Sequence, residues 1–385
     1  MSELADFLVS RSGDLKAQVL EFARHPRFDR ITRQAARERF GKDGQAAEGE
    51  VENFFDWLIQ EHQLPDGRTI TDVFADNRRD LSIEERTFLL GWKEVLEGIF
   101  EISGREGDAL LAVNVIDDGQ YRIRTNTDPA TFDKMPPGSY LIARVVPCDD
   151  QWLLSGAIAV FDADRRERLM ELAAHRALSQ PELLFRNPER LEQCWQMQRA
   201  DRAAFISYFG ADQVVLTAEE VGDRLRAFRA QRVADLVASG APEPTTGIPD
   251  VDLSWVTSDV ETMGVIYDET GGLGLYANYR LVEEAFADPD LLRGPRHRGV
   301  LREYLNDESV DPVPLQRLAA AHPATVDRVF RILLSRPGFS WAQDGEALLR
   351  ERKAVWFTGP DLPKMVVIGD RLRPYLSAGA PGDSN

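Results

Sequence analysis

Residues 140–161 read YLIARVVPCDDQWLLSGAIAVF. Two apolar runs flank Pro147-Cys148-Asp149-Asp150, and their β-branched and aromatic content predicts two strands joined by a turn. Moving outward, the residues before this passage alternate between apolar and polar instead of recurring every three or four positions. Segments 97–103, 108–116, 120–125, 139–147 and 151–161 are therefore expected to be five strands. Asp118-Gly119 predicts a tight two-residue turn, because that turn takes positive φ at both positions. Gly104–Gly107 and Met135–Gly138 supply further turns. Five short strands with one long crossing near 126–138 predict a small β-barrel of the SH3-like or OB-like kind.

On either side of the expected barrel the period becomes helical. Val51, Phe54, Phe55 and Leu58 fall at i, i+3, i+4 and i+7, predicting one apolar helix face. Ser82-Ile83-Glu84-Glu85 is a capping-box pattern, followed by the stripe Phe88, Leu89, Trp92, Val95 and Leu96. Gly41–Gln45 is a polar break between helices. After Asp162, Asn187-Pro188 predicts an N-cap with proline at the first helical position, and Thr217–Glu220 a second capping box. Ser239–Gly247 has the glycine, proline and small polar residues of a linker. Beyond it, 261–268 and 272–276 predict a hairpin, Val326 to Leu334 a helix, and Asp344 the N-cap of a helix over 345–356.

The expected fold is α+β, with a helical region over 1–96, the barrel over 97–161 and a helical segment packed with it over 162–238. A linker at 239–252, a mostly helical domain with one hairpin over 253–376 and a polar tail at 377–385 complete it.

Composition narrows the function. Across 385 residues the net charge is −18, which repels phosphate backbones at long range. Cys148 and Cys194 cannot form a disulfide framework, no CxxC is present, and no stretch reaches eighteen consecutive apolar residues. With an N-terminus that does not read as a signal peptide, these features predict a cytoplasmic protein without a membrane span.

Three groups of residues carry the candidate chemistry. Arg122 and Arg124 share one strand face, and with Arg144 and an aromatic platform at Tyr121 or Trp152 they would form a nucleic-acid-binding groove. Against this, residues 97–161 hold ten acids and five basic residues, so cross-strand pairing is the favoured reading. Asp259, Glu261, Asp268 and Glu269 surround the second hairpin and would supply oxygen ligands to Mg²⁺ or Ca²⁺ in a metal-assisted hydrolase; solvated turn acids are the plainer account. Gly271-Gly272-Leu273-Gly274 enters a strand and lacks the lysine of a phosphate loop, so a turn or bulge is expected. Cys148, in the turn of the opening passage, is the thiol expected at the surface, although Asp149 and Asp150 would dull it.

No G-x-S-x-G elbow and no HxxxH or HExxH spacing occurs. The expectation is a non-catalytic binding or assembly protein that uses no cofactor and engages a protein partner. A nucleic-acid module on the barrel and the metal-assisted hydrolase stand as alternatives.

Overall fold

The alternation along the expected strands sorts side chains onto two faces, and both faces of the central strands meet apolar partners. The computed structural model describes residues 2–41, 49–240 and 251–376. The polar break at 41–45, the linker at 239–252 and the tail at 377–385 lie wholly or mostly outside the described residues. The chain divides into two compact units: one runs to Arg190 and resumes at Ile368, and the other is Leu191–Val367.

The first unit begins with α1 (Glu3–Ala23), α2 (Asp29–Phe40), α3 (Glu50–Gln60), α4 (Ile70–Asn77) and α5 (Ile83–Gly91). The barrel strands follow: β1 (Leu96–Glu106), β2 (Ala109–Asn114), β3 (Gln120–Arg124), β4 (Tyr140–Cys148) and β5 (Gln151–Phe161). They close in the order β1-β2-β3-β5-β4, with β4 returning to β1 and β3 running parallel to β5. Of the two barrel types expected, this circuit is the OB-like one. α6 (Arg166–Ser179) and the start of α7 (Pro188–Phe209) come next.

Period two explains the opening passage. Inward-facing Leu141, Ala143 and Val145 join Phe100, Leu110, Tyr121 and Ile123 in the barrel core. Outward-facing Val146, Cys148 and Leu153 join a separate core with Leu15, Phe54, Leu58 and Leu89 of the helices. Being buried on both faces, β4 reads as a nearly continuous apolar run. Where β4 and β5 pair, the register shifts between Ile142↔Ala159 and Arg144↔Ser155, leaving a bulge that contains Gly156 at φ 75°. A Cβ there would lie 2.3 Å from Asn53 Oδ1, so only glycine fits beneath α3.

Four local expectations change. Asp118-Gly119 is not a two-residue turn: residues 115–119 connect β2 to β3, and only Asp118 has positive φ. The buried Asp117 carboxylate shapes this loop, accepting from Gly119 N (2.7 Å), Tyr121 Oη (2.7 Å) and Asn114 Nδ2 (3.1 Å). The buried face of α3 is Phe54, Leu58 and Ile59, whereas Val51 and Phe55 stay 48% and 38% exposed. The helix rotates because Asp56 and Gln60 turn onto β5. Cys148 is buried rather than exposed, with its Sγ 4.0 Å from Ala5 O under α1. Burial, despite the nearby Arg124 cation, pushes its thiol up to about 12. The helix expected behind Asp344 begins earlier, at Trp341, and Asp344 accepts from the Ser340 backbone N–H at 3.0 Å. The capping box at Ser82 forms as expected, with both reciprocal hydrogen bonds.

The second unit holds the rest of α7, α8 (Val221–Ala238) and a sheet of β6 (Gln213–Thr217), β7 (Thr262–Asp268) and β8 (Gly272–Ala277). The expected hairpin is β7–β8, and β6, which the sequence did not signal, pairs with β7 on its other side. α9 (Tyr279–Ala287), α10 (Pro295–Asn306), α11 (Val313–Ala321), α12 (Val326–Leu334) and α13 (Trp341–Arg352) follow. Along β7, Met263, Val265 and Tyr267 face a core with Phe205, Leu225 and Phe228, while Ile266 faces the helices that follow. The glycines entering β8 serve a turn and a packing need. Gly272 has φ 70°, and a Cβ on Gly274 would meet the Tyr276 hydroxyl at 2.2 Å. No described helix is long and apolar enough to cross a membrane.

Candidate functional site

Alternation puts Tyr121 on the face opposite the three arginines, so it does not form the platform expected beside them. The outward face, however, is roofed by helices where two of the arginines emerge. Tyr121 points into the barrel, its ring 5.2 Å from those of Phe100 and Trp152 and its hydroxyl donating to Asp117. Arg124 donates to Asp6 of α1 at 3.0 Å and to Gln151 at 3.4 Å. Arg144 lies under α3, donating to Gln60 Oε1 at 3.1 Å and to Glu61. Arg122 pairs with Glu106 across the strands. The four therefore share no open groove. The signal was present in the sequence: outward positions Val146, Cys148 and Leu153 are apolar, so that face needs a cover.

Beneath that cover runs a polar seam. Asp56, 1% exposed, accepts from Lys16 Nζ at 2.8 Å and from Ser155 Oγ at 2.6 Å, and Gln60 Nε2 donates to the same hydroxyl at 3.0 Å. Asn53 Oδ1 accepts the Ala157 N–H at 2.8 Å, meeting a backbone group freed by the bulge. The Ser155 hydroxyl is thus held by Asp56 and Gln60 inside a buried network.

The hairpin acids are dispersed. Asp259 accepts from Thr257, and Glu261 pairs with Arg296 at 2.6 Å on the surface. Asp268 caps its own turn, accepting from the Thr270 and Gly271 N–H groups at 3.0 Å each, and pairs with Arg317 at 3.3 Å. Burial would raise the Asp268 carboxyl, but these backbone donors and Arg317 hold it below its usual value. Glu269 takes part through its backbone carbonyl, which accepts from Gln198 at 2.9 Å. Among the described residues no three His, Cys, Asp or Glu side chains are grouped to hold a metal ion.

A different acidic site does assemble in the second unit. Beside β8, a groove of about 520 Å³ is walled by Trp255, Tyr276 and Tyr304 and carries Glu303, Asp307 and Asp311; among the described residues no lysine or arginine lines it. Tyr276 donates to Asp311 at 2.7 Å, and Tyr304 donates to Ala277 O at 2.7 Å. Burial raises the Asp311 carboxyl despite the Tyr276 hydroxyl and the Val313 N–H at 2.8 Å. The wholly buried Lys353 ties the loop behind the groove together by donating to the Asp307 and Val310 carbonyls. Sequence reading missed this set because its members come from three separate stretches, near 255, 276 and 303–311.

β8 is an edge strand of its sheet. Asn278 donates its N–H to Thr262 O, so the pairing register turns the backbone groups of Leu273 and Leu275 away from β7. Leu275 lines the groove, which therefore combines an open strand edge with acids and aromatic rings.

Residues 30–200 match a family model described as "Family of unknown function (DUF7986)". That match takes in the barrel, the seam apart from Lys16, and the flanking helices from α2 into α7, and leaves the β8 groove outside it. No curated protein and no solved structure matches the chain.

Proposed function

We propose that the protein is a non-catalytic cytoplasmic binding protein whose second unit takes an extended, basic segment of a partner protein along the free edge of β8. The observation that carries this reading is the groove itself, where a strand edge with no partner among the described residues runs beside aromatic rings and acids, with no cation among the described lining residues. An added strand gains main-chain hydrogen bonds from Leu273 and Leu275. Its lysine or arginine side chains meet Glu303 and Asp307 and pack against Trp255 and the tyrosines. Two buried free thiols accord with a reducing compartment. The nucleic-acid and hydrolase alternatives lack a comparable convergence of groups, because the barrel arginines are covered or paired and the hairpin acids stand apart.

The test is a titration of the full-length protein with a fluorescein-labelled peptide of alternating valine and arginine, followed by anisotropy. Binding that is weakened about tenfold or more by the double substitution Glu303→Lys/Asp307→Lys supports the reading, since a charge-assisted hydrogen bond contributes roughly 1.5–3 kcal/mol. Equal binding by that variant, or equally tight binding of a valine–glutamate peptide, overturns it.

A further inference from the structure

The first unit contains a cavity whose chemistry is the reverse of the β8 groove. About 370 Å³ in volume, it lies between α2, α3, the outer face of β1 and β4, α6 and the 181–186 turn. Arg39, Arg144, Arg176 and Arg186 line it, against Glu50, Glu61 and Glu97. In a chain of net charge −18, four guanidinium groups converging on one concavity need a reason.

Four guanidinium groups face three carboxylates, so one positive charge is left over even if every carboxylate is paired. Glu61 pairs with Arg144, and Glu97 is divided between Arg144 at 3.6 Å and Arg176 at 3.3 Å. Arg186 is held differently: its two terminal nitrogens donate to the backbone carbonyls of Glu94 at 3.1 Å and Val95 at 2.9 Å. Neutral carbonyls fix that guanidinium in place without cancelling its charge. Arg39 stands exposed at the mouth with no ion pair among the described residues. Arg144 is 5% exposed and reaches the cavity with the end of its guanidinium group, between Glu61 and Glu97. Each guanidinium offers five N–H donors in a planar fork, so the walls present more donors than the protein's own acceptors fill. Trp57, Ile142 and Leu183 supply an apolar wall beside them.

We infer that this cavity binds a small organic oxyanion, a phosphate ester or a polycarboxylate, with the oxygens on Arg176, Arg186 and Arg144, the carbon frame against Trp57, and Arg39 closing the mouth. A volume of this size suits a metabolite rather than a polymer. Every lining residue falls between Arg39 and Arg186, inside the stretch that matches the family model, so the pocket belongs to the part of the chain that recurs in other proteins. The inference is independent of the β8 groove, which lies in the other unit.

Thermal melts of the full-length protein in inorganic phosphate, in malonate, and in sodium chloride of matched ionic strength test it. A bound oxyanion raises the melting temperature progressively with concentration, beyond the effect of chloride. A response to phosphate alone assigns a phosphate ester, to malonate alone a polycarboxylate, and to both a general oxyanion site. Arg176→Gln is expected to weaken the apparent affinity about tenfold. Arg39→Gln is expected to weaken it about threefold while leaving the ligand-free melting temperature unchanged, because that side chain is exposed. Melting shifts no larger than those in chloride, or of equal size in wild type and both variants, overturn the inference.

Discussion

The seam beneath α3 and the groove beside β8 are both rich in charged groups, yet they are satisfied in opposite ways. In the seam, Asp56, Lys16, Ser155 and Gln60 bond to one another across the junction of helices and barrel, and Asp56 is 1% exposed. In the groove, Glu303 and Asp307 face solvent with no basic residue among the described lining residues. Charge that is internally paired fixes where elements sit, whereas charge left facing outward is available to something else. Mutations should separate the two: the seam should lose stability, and the groove should lose binding.

The largest effect is expected from Asp56→Ala, which removes a buried carboxylate from the half-buried Lys16 and from the buried Ser155 hydroxyl. A loss of about 3–5 kcal/mol in urea unfolding is expected. A loss below about 1 kcal/mol would show that the seam contributes little to holding the helices on the barrel. Gly156→Ala comes next. Its Cβ would lie 2.3 Å from Asn53 Oδ1 in a left-handed backbone, and a cost of roughly 1–3 kcal/mol in the same measurement is expected.

A smaller effect sharpens the comparison within the second unit, where Asp268 and Asp311 are displaced in opposite directions from 3.8. Asp268 lies below its unfolded value, so it stabilises the fold above pH 3.8 and loses that contribution as pH falls through its folded value. Asp311 lies above, so its contribution is fully present below pH 3.8 and is lost as pH rises through its folded value. Unfolding free energies measured from about pH 3 to about pH 7 should therefore rise toward neutrality less steeply in Asp268→Asn than in wild type. In Asp311→Asn they should rise more steeply. Parallel profiles for the two variants would contradict the assigned environments. The smallest effect is on the stability of Glu303→Lys/Asp307→Lys, expected at about 1 kcal/mol because both side chains are exposed and only Asp307 loses local hydrogen bonds, from the Ser309 N–H at 2.9 Å and hydroxyl at 2.7 Å. Unfolding of that variant would remove it as a probe of the groove.

The same contrast explains what the sequence revealed. Strand positions were legible because β3 alternates and β1 does so over part of its length, and the β4–β5 hairpin stood out because its apolar residues cover both faces. The capping box at Ser82 was legible because its two hydrogen bonds span only three residues. Less legible were features that depend on distant partners. Nothing local to Arg144 shows that Gln60 and Glu61 wait 84 and 83 residues away. Cys148 reads as a turn residue until α1 is known to cover it. β6 was hidden because five residues with polar ends at Gln213 and Thr217 are too few to establish a period, and its strand state comes from pairing with β7. The candidate acids at the second hairpin were contiguous in sequence, which is a poor guide to convergence in space. The acids of the β8 groove come from α10 and the loop after it.

Arg371 pairs with Glu101 of β1 and lies 3.8 Å from Asp118, so the stretch after Ile368 completes a body that the chain left at Arg190. A ribosome emits residues in order, and this first body must wait through the synthesis of all of Leu191–Val367 before its last piece arrives. During that interval Glu101 and Asp118 lack this cation. Nascent chains stalled before residue 368 should thus be more readily cut by protease near β1 and the β2–β3 loop than chains released past residue 376.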